Sequence, residues 1–288
     1  MIYRLLAINI DGTLLQSNGR LHKSTREAIE YVQQKGIYVT LITSRSFPSA
    51  KKVAKALKLD SKIVTHSGAF VASDSDKPVL VRRIQEEITF EVVRLLEKFN
   101  CQIRIVDDKF SIANVSKLTH NLLAKTVFQS GDPLYYAQQY VDSISETLID
   151  NPVSPPKLEV YFNDKEDLHD AKKALSGMFT EVQLHDVNNY RIDIVPQGVS
   201  KLNGLLYLGE LMGISRQQMV VIGDSFDDQE MIEEVGLGVA MGNAPNHIKQ
   251  AADWVTRSNN QHGVAYMVKE HFRKQQPIEF LRKMNIIK

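Results

Sequence analysis

Short apolar segments recur in the first third of this chain, and an amphipathic stretch separates each from the next. The apolar segments are rich in β-branched residues and bounded by glycine or polar residues, which indicates buried strands. Strands are predicted at 3–10 and 37–44, and the stretch 62–71 is predicted to hold a third short strand and a turn at Gly68. Helices are predicted between them, at 24–36 and 46–57. Ser24 is predicted to cap the first helix, with Glu27 completing a capping box. Because this alternation needs crossover connections, we predict an α/β fold with a Rossmann-like parallel sheet.

The pattern changes after about residue 80 and returns near residue 199. The middle stretch combines helical segments with pairs of alternating segments that are typical of antiparallel strands, as in 101–108 with 109–115 and 181–186 with 190–196. It therefore reads as an α+β unit of its own. We predict a core domain formed by 1–82 and 195–272, an inserted cap domain over 83–194, and a C-terminal tail over 273–288.

Charge and cysteine content limit the class of protein. The formal net charge is +1, so no bulk field attracts nucleic acid or an anionic membrane. No segment approaches the run of about eighteen apolar residues that suggests a membrane span. The single cysteine, Cys101, cannot form an internal disulfide, which fits a reducing compartment and predicts a cytoplasmic protein.

Candidate functional residues follow the predicted strands, where ligands bind in open α/β sheets. Carboxylate oxygens suit a hard cation such as Mg²⁺, while a lysine and glycine-freed backbone amides suit a phosphate. Singly, each residue has an ordinary explanation as a turn, a solvated charge or a favourable charge in a first helical turn. Their joint occurrence at strand ends is what predicts a site. These residues are Asn9, Asp11, Thr43, Ser44, Ser67, Gly68, Lys201, Gly223, Asp224, Asp227 and Asp228.

Four stretches of the chain resemble the motifs of the haloacid dehalogenase superfamily of phosphohydrolases. They are "NIDGTLL", "LITSR", "VPQGVSK" and "VIGDSFDD". The chain length, the insertion between the second and third motifs, "GNAPNHIKQAADWVT" and "NNQHGVA" further resemble the Cof-type branch, whose members mostly hydrolyse small sugar phosphates or related phosphomonoesters. The resemblance extends to about His271.

This resemblance implies a role for each matching position. The catalytic positions are Asn9, where the family has its aspartate nucleophile, Asp11 as general acid and base, Lys201 and Asp228. The positions implied to hold Mg²⁺ are Asn9, the Asp11 backbone carbonyl, Asp224 and Asp228. The positions implied to bind phosphate or substrate are Gly12, Thr43, Ser44, Ser67, Gly68, Lys201 and Asp227.

Three of these positions depart from the family pattern. Asn9 replaces the nucleophilic aspartate, while Asp227 and Ser67 stand where the family usually has asparagine. A carboxamide is neutral and a weak nucleophile, and loss of the nucleophile in another enzyme class costs about 10⁶ in rate. The Asp227 charge faces the expected phosphate, and two unit charges about 4 Å apart repel by roughly 4 kcal/mol at an effective dielectric of 20.

Two hypotheses of different class follow. The first is an atypical Mg²⁺-dependent phosphatase that acts on a small phosphorylated metabolite, in which water attacks directly with Asp11 or Asp227 as base. The second is a catalytically inactive relative that binds such a ligand or a partner protein as a sensor or regulator. We expect impaired turnover and weak Mg²⁺ binding. A dehalogenase would need the same nucleophile, and a dehydrogenase is not supported because "GLGVAMG" lacks the required glycine spacing.

Overall fold

The computed structural model describes residues 2–115 and 137–287. They form two compact units, the first comprising residues 2–43, 50–64 and 201–287 and the second residues 44–49, 65–115 and 137–200. These divisions fall at other residues than the predicted domain bounds, which therefore stay a prediction. The part of the predicted inserted domain at 116–136 lies outside the described residues.

The strands and helices are numbered in chain order. The strands are β1 Leu5–Asn9, β2 Tyr38–Ile42, β3 Ile63–Thr65, β4 Phe70–Ala72, β5 Pro78–Val81, β6 Cys101–Val106, β7 Phe110–Asn114, β8 Ala137–Val141, β9 Lys157–Phe162, β10 Val182–Asn188, β11 Arg191–Pro196, β12 Met219–Gly223, β13 Leu237–Ala240 and β14 Trp254–Val255. The helices are α1 Lys23–Gln34, α2 Phe47–Ala56, α3 Glu86–Leu96, α4 Ile144–Asp150, α5 Lys165–Met178, α6 Lys201–Leu211, α7 Gln229–Glu234, α8 Asn246–Ala251, α9 Gly263–Phe272 and α10 Ile278–Lys283.

A parallel sheet organises the first unit. Its strand order is β14-β13-β12-β1-β2-β3, and Leu5 of β1 is in register with Met219 of β12 and Tyr38 of β2. Every residue of β1 is buried. Such a strand is buried on both faces and reads as a continuous apolar run rather than an alternating one. The predicted α/β fold with a parallel sheet is confirmed.

A mostly antiparallel sheet organises the second unit. Its strand order is β10-β11-β9-β6-β7-β8, and the predicted antiparallel pairs β6–β7 and β10–β11 are both present. Alternate residues of the central strands, including Ile103, Val160 and Ile192, join an apolar core cluster. The residues between them include buried charged side chains, among them Lys157 and Asp193. Strands β4 and β5 pair with each other as an antiparallel ladder.

The start of α1 and the number of strands differ from the prediction. Helix α1 begins at Lys23 and is capped by His22, whose Nδ1 accepts the Ser24 N–H, so Ser24 is not the cap. The stretch 62–71 contains the predicted short strand, β3, and the predicted turn, followed by a second short strand, β4. His66 and Ser67 adopt positive φ angles of 51° and 58° in that turn, which a strand does not accommodate. Strand β8, with the sequence AQQYV, was not predicted because it is mostly polar.

The segment predicted as a tail forms part of the first unit. Ile278 and Leu281 of α10 are buried. The backbone carbonyl of Lys35, the residue after α1, accepts the Ile278 N–H at 2.8 Å. The Lys35 ammonium donates to the carbonyls of Phe272 at 2.7 Å and Gln275 at 2.5 Å. The C-terminal helix is therefore bound to the end of the first helix.

No helix within 2–115 or 137–287 combines the length and the apolar character that a membrane crossing requires.

Candidate active site

A tight loop, Ile10–Leu14, leaves the end of β1 and carries two of the predicted site residues, Asp11 and Gly12. The Leu15 N–H donates to the Ile10 carbonyl at 3.0 Å and closes the loop. Gly12 has a φ of +69°, and a Cβ at this position would lie 2.0 Å from Asp224 Oδ2. Only glycine meets both demands. The loop therefore lies directly against Asp224, which follows strand β12.

Asn9, the last residue of β1, is 4% exposed and directs its amide nitrogen at three oxygens. Nδ2 lies 3.1 Å from the Asp11 carbonyl oxygen, 3.2 Å from Asp224 Oδ1 and 3.1 Å from Asp228 Oδ2. Oδ1 accepts the Ile10 N–H at 2.9 Å. The assignment of oxygen and nitrogen follows from this network, because the reverse orientation would place the amide oxygen against three acceptors and the NH₂ group against a donor.

Asp228 is the anchor of this cluster and is fully buried. Its Oδ2 accepts the backbone N–H groups of Asp224 at 3.0 Å and Ser225 at 3.1 Å, and the Ser225 hydroxyl at 2.8 Å. Its Oδ1 accepts from Lys201 Nζ at 2.7 Å. A buried carboxylate needs such donors to offset the loss of hydration. Asp228 therefore fixes the loop after β12 and the lysine together.

Lys201 reaches the cluster from the start of α6 and lies between two carboxylates. Its Nζ is 2.8 Å from Asp227 Oδ2 and 2.7 Å from Asp228 Oδ1, while Asn9 Oδ1 is 3.5 Å away. Burial lowers the pKa of Lys201, but Asp227 and Asp228 raise it more, so its pKa lies above the ordinary value. The lysine is thus charged at neutral pH and is already paired within the chain.

Asp224 lies in the same cluster, in surroundings that disfavour its negative charge. Burial, together with the neighbouring Asp228 charge, raises the pKa of Asp224 to about 7. Its Oδ1 accepts the Thr13 hydroxyl at 2.6 Å, and that hydrogen bond favours the ionised form. Thr13 and Ser225 were missed as site residues in the sequence, although both lie inside quoted motifs and both are hydroxyl residues that follow a buried strand.

A third missed residue is Asn243, which holds the loop after β1 from another side. Its Nδ2 donates to the Gly12 carbonyl at 2.8 Å, and its Oδ1 accepts the Asn259 N–H at 2.9 Å. Asn243 follows strand β13 in "GNAPNH", so its position after a strand was the available signal.

The first unit brings most of the predicted residues to one edge of its sheet. Thr43 is buried and directly follows Ile42, which is in register with Asn9. The members of this edge are Asn9, Asp11, Gly12, Thr43, Lys201, Asp224, Asp227 and Asp228.

Three predicted phosphate-binding residues belong to the second unit. The Ser44 carbonyl accepts from Lys157 Nζ at 2.7 Å. Ser67 and Gly68 are buried and lie in a turn with φ angles of 58° and 102°. The turn is one that asparagine, serine or glycine tolerates better than a β-branched residue.

Comparison with known proteins identifies the family. A model of the haloacid dehalogenase-like hydrolases matches residues 6–268. The chain is 49% identical over 286 residues to the stress response protein YhaX of Bacillus subtilis, covering 99% of both chains. It is 26% identical to the 5-amino-6-(5-phospho-D-ribitylamino)uracil phosphatase YitU of the same organism, over 93% of this chain and 97% of that one.

Solved structures agree with this assignment. A haloacid dehalogenase-like hydrolase from Bacteroides thetaiotaomicron matches with a TM-score of 0.78 and 25% identity, over 93% of this chain and 99% of that one. Another from B. subtilis shares the fold with a TM-score of 0.81 at 24% identity, with the same coverage. The resemblance read from the four motifs and its Cof-type branch are confirmed. The chain belongs to the haloacid dehalogenase-like hydrolases.

Proposed function

We propose that this chain binds a small phosphorylated metabolite and has little or no phosphomonoesterase activity of its own. The observation that carries the proposal is Asn9, at the position where the family resemblance implies a nucleophilic carboxylate. A covalent route needs an anionic oxygen that attacks phosphorus. The Asn9 amide oxygen is neutral and already accepts the Ile10 N–H at 2.9 Å. The remaining groups of the site therefore surround a position that has no nucleophile.

The alternative of direct attack by water is weakened by the contacts of Asp227. As a general base, Asp227 would have to accept a proton from water. Its carboxylate instead pairs with Lys201 at 2.8 Å and lies 2.5 Å from the Ser225 hydroxyl, which is also 2.8 Å from Asp228 Oδ2. The Lys201 ammonium favours the ionised form of Asp227 and reduces its basicity. Asp11 is exposed and stays the other candidate base for residual activity.

The relatives support a ligand of this class and a regulatory role. Among them are phosphatases of phosphorylated metabolites, such as YitU, and the relative with 49% identity is named for a stress response rather than for an enzymatic activity. We propose that the chain acts in a stress response as a ligand-binding or partner-binding protein. Its predicted location in the cytoplasm is part of the same proposal.

The residues around Asn9 do not fit the Mg²⁺ ion that the family resemblance implies. Mg²⁺ requires oxygen ligands in near-octahedral geometry. Here the Asn9 NH₂ group, a donor, faces the Asp11 carbonyl and the carboxylates of Asp224 and Asp228. In the part of the chain that the structure describes, no three acidic, histidine or cysteine side chains are arranged to hold a metal. The predicted weak Mg²⁺ binding is thus opposed by the orientation of the amide.

The proposal is tested by a phosphatase assay across a panel of phosphomonoesters with Mg²⁺, on the wild type and on Asn9→Asp. We expect negligible wild-type turnover and an increase of at least about 10²-fold in kcat/KM in the variant. Adding Asp227→Asn to Asn9→Asp should increase kcat/KM by more than the two single changes together, because the sites share Lys201. Asn18→Asp, which adds the same charge on an exposed loop of the same unit, is the matched control.

Binding is measured separately, by calorimetry of the wild type with inorganic phosphate and with the same phosphomonoesters. Strong wild-type turnover would show that a group other than residue 9 attacks phosphorus. Absence of any phosphate or phosphomonoester binding would remove the ligand-binding part of the proposal and leave a partner protein as the remaining role.

A further inference from the structure

We propose that the Asn9 carboxamide takes the place of a divalent cation in this site, so that the wild-type chain is metal-independent in its stability and in ligand binding. The inference rests on the proposed function for the ligand, and on the contacts of the first unit alone for the metal. Asparagine in place of aspartate at residue 9 would then have two effects at once, the loss of the nucleophile and the loss of the requirement for metal.

The Asn9 amide nitrogen occupies a position among oxygens that a cation could otherwise take. Nδ2 lies within 3.2 Å of three oxygens from two segments of the chain, namely the Asp11 carbonyl after β1 and the Asp224 and Asp228 carboxylates after β12. A cation placed among carbonyl and carboxylate oxygens neutralises their mutual repulsion. The partial positive charge of an NH₂ group does the same on a smaller scale. The nitrogen therefore links the loop after β1 to the loop after β12 without an ion.

A Mg²⁺ ion at this position would break existing hydrogen bonds of Asn9. Mg²⁺ would need ligand distances of about 2.0–2.1 Å and the same lone pairs of Asp11 and Asp224 that now accept the amide N–H groups. Asn9 would have to rotate its oxygen toward the ion. That rotation breaks the 2.9 Å bond from the Ile10 N–H to Oδ1 and turns the NH₂ group toward Ile10 N–H and Lys201 Nζ. The Ile10 N–H and the Lys201 ammonium, both hydrogen-bond donors, would then face the Asn9 NH₂ group, which is also a donor, in a buried site.

Asparagine at position 9 also lowers the negative charge of the site. An aspartate at position 9 would lie within about 3.2 Å of the Asp224 and Asp228 carboxylates, as the Asn9 nitrogen does, and would repel them unless a cation intervened. Asn9 removes that charge. Lys201 is paired with Asp227 and Asp228 and leaves the Asp224 charge to be offset by Thr13 and the amide.

The test is thermal unfolding and calorimetry with Mg²⁺ alone on the full-length wild type, Asn9→Asp and Asn18→Asp, each also with EDTA. We expect Mg²⁺ and EDTA to leave the Tm of the wild type and of Asn18→Asp unchanged. In Asn9→Asp, Mg²⁺ at roughly 100-fold above its Kd should raise the Tm by about 5 °C, with one bound ion seen by calorimetry. Inorganic phosphate should bind the wild type with the same Kd in Mg²⁺ and in EDTA.

Each result bears on the proposal. A Mg²⁺-dependent rise in the wild-type Tm that Asp224→Asn abolishes overturns it, and so does a wild-type Mg²⁺ affinity equal to that of Asn9→Asp. If Asn9→Asp does not fold, the comparison of wild type with Asp224→Asn decides alone. A wild type that ignores both Mg²⁺ and phosphate upholds the metal inference while the proposed ligand fails, so the two failures are distinguishable.

Discussion

The Lys201 ammonium lies 2.8 Å from the Asp227 carboxylate, so the lysine that the family resemblance assigns to phosphate is already paired with an acidic side chain of its own chain. An incoming phosphate must compete with Asp227 for this lysine. Asp227 is the more exposed member of the pair, at 19% of its side-chain surface against 2% for Lys201. The acid therefore lies on the solvent side of the lysine.

Asp227→Asn is expected to tighten the binding of inorganic phosphate by about 10-fold or more, because it removes a like charge and leaves Lys201 with one partner fewer. Calorimetric titration with phosphate in EDTA measures the change. Asp186→Asn breaks an exposed lysine–carboxylate pair with Lys172 in the second unit and serves as the control. An unaltered Kd in Asp227→Asn would mean that phosphate does not contact Lys201.

Gly12→Ala is expected to destabilise the first unit far more than Gly19→Ala does. Both glycines have positive φ angles, +69° and +76°, but a Cβ at Gly12 would lie 2.0 Å from Asp224 Oδ2 while a Cβ at Gly19 meets nothing within 4 Å. The shared cost of the left-handed backbone is about 1 kcal/mol, and displacement of Asp224 adds about 1–3 kcal/mol at Gly12. Denaturant unfolding of both variants gives the difference. Equal losses would show that the loop moves away from Asp224 freely.

Lys157→Met is expected to reduce the free energy of unfolding by about 3–5 kcal/mol, since it removes a fully buried cation that pairs with two buried carboxylates. Lys157 is fully buried and its Nζ lies 2.8 Å from Asp193 Oδ2 and 2.8 Å from Glu159 Oε1. Lys172→Met, which breaks the partly exposed pair with Asp186, should cost about 0–1 kcal/mol. Urea unfolding monitored by circular dichroism compares the two. A small loss for Lys157→Met would show that Arg191, 2.8 Å from Asp193, compensates.

His66 is expected to make the second unit less stable below neutral pH. Burial, and then the Lys157 charge, lower the pKa of His66 to about 3. Because this folded pKa lies below the unfolded value of about 6.5, the unfolded chain binds a proton first as pH falls. Stability is therefore full above about pH 6.5 and decreases below it, by about 1.4 kcal/mol per pH unit.

The measurement compares the wild type with His66→Asn, because asparagine tolerates the positive φ at this position. Between pH 6.5 and pH 5 the wild type should lose about 2 kcal/mol more than the variant. Parallel pH profiles for the two proteins would show that His66 gains a partner for its proton or is solvated.

The strand-end positions of Asn9 and Asp224 could be predicted because the apolar runs are continuous and the residues that end them are polar. The direction of the Asn9 amide could not, since it is set by Asp224 and Asp228, which lie more than 200 residues away in sequence. The capping signal failed at the start of α1, because the His22 side chain caps the helix in place of Ser24.

The hydrogen bonds from Lys35 to the C-terminal segment determine where fragments of this protein should end. The family match ends at residue 268, yet the chain beyond it places Ile278 against Gly36 and supplies the carbonyls that Lys35 Nζ contacts. A truncation at residue 268 would remove the acceptors of the Lys35 ammonium together with the buried side chains of Ile278 and Leu281. Fragments for expression should therefore extend beyond Lys283 rather than end where the family match ends, and an affinity tag should follow that residue.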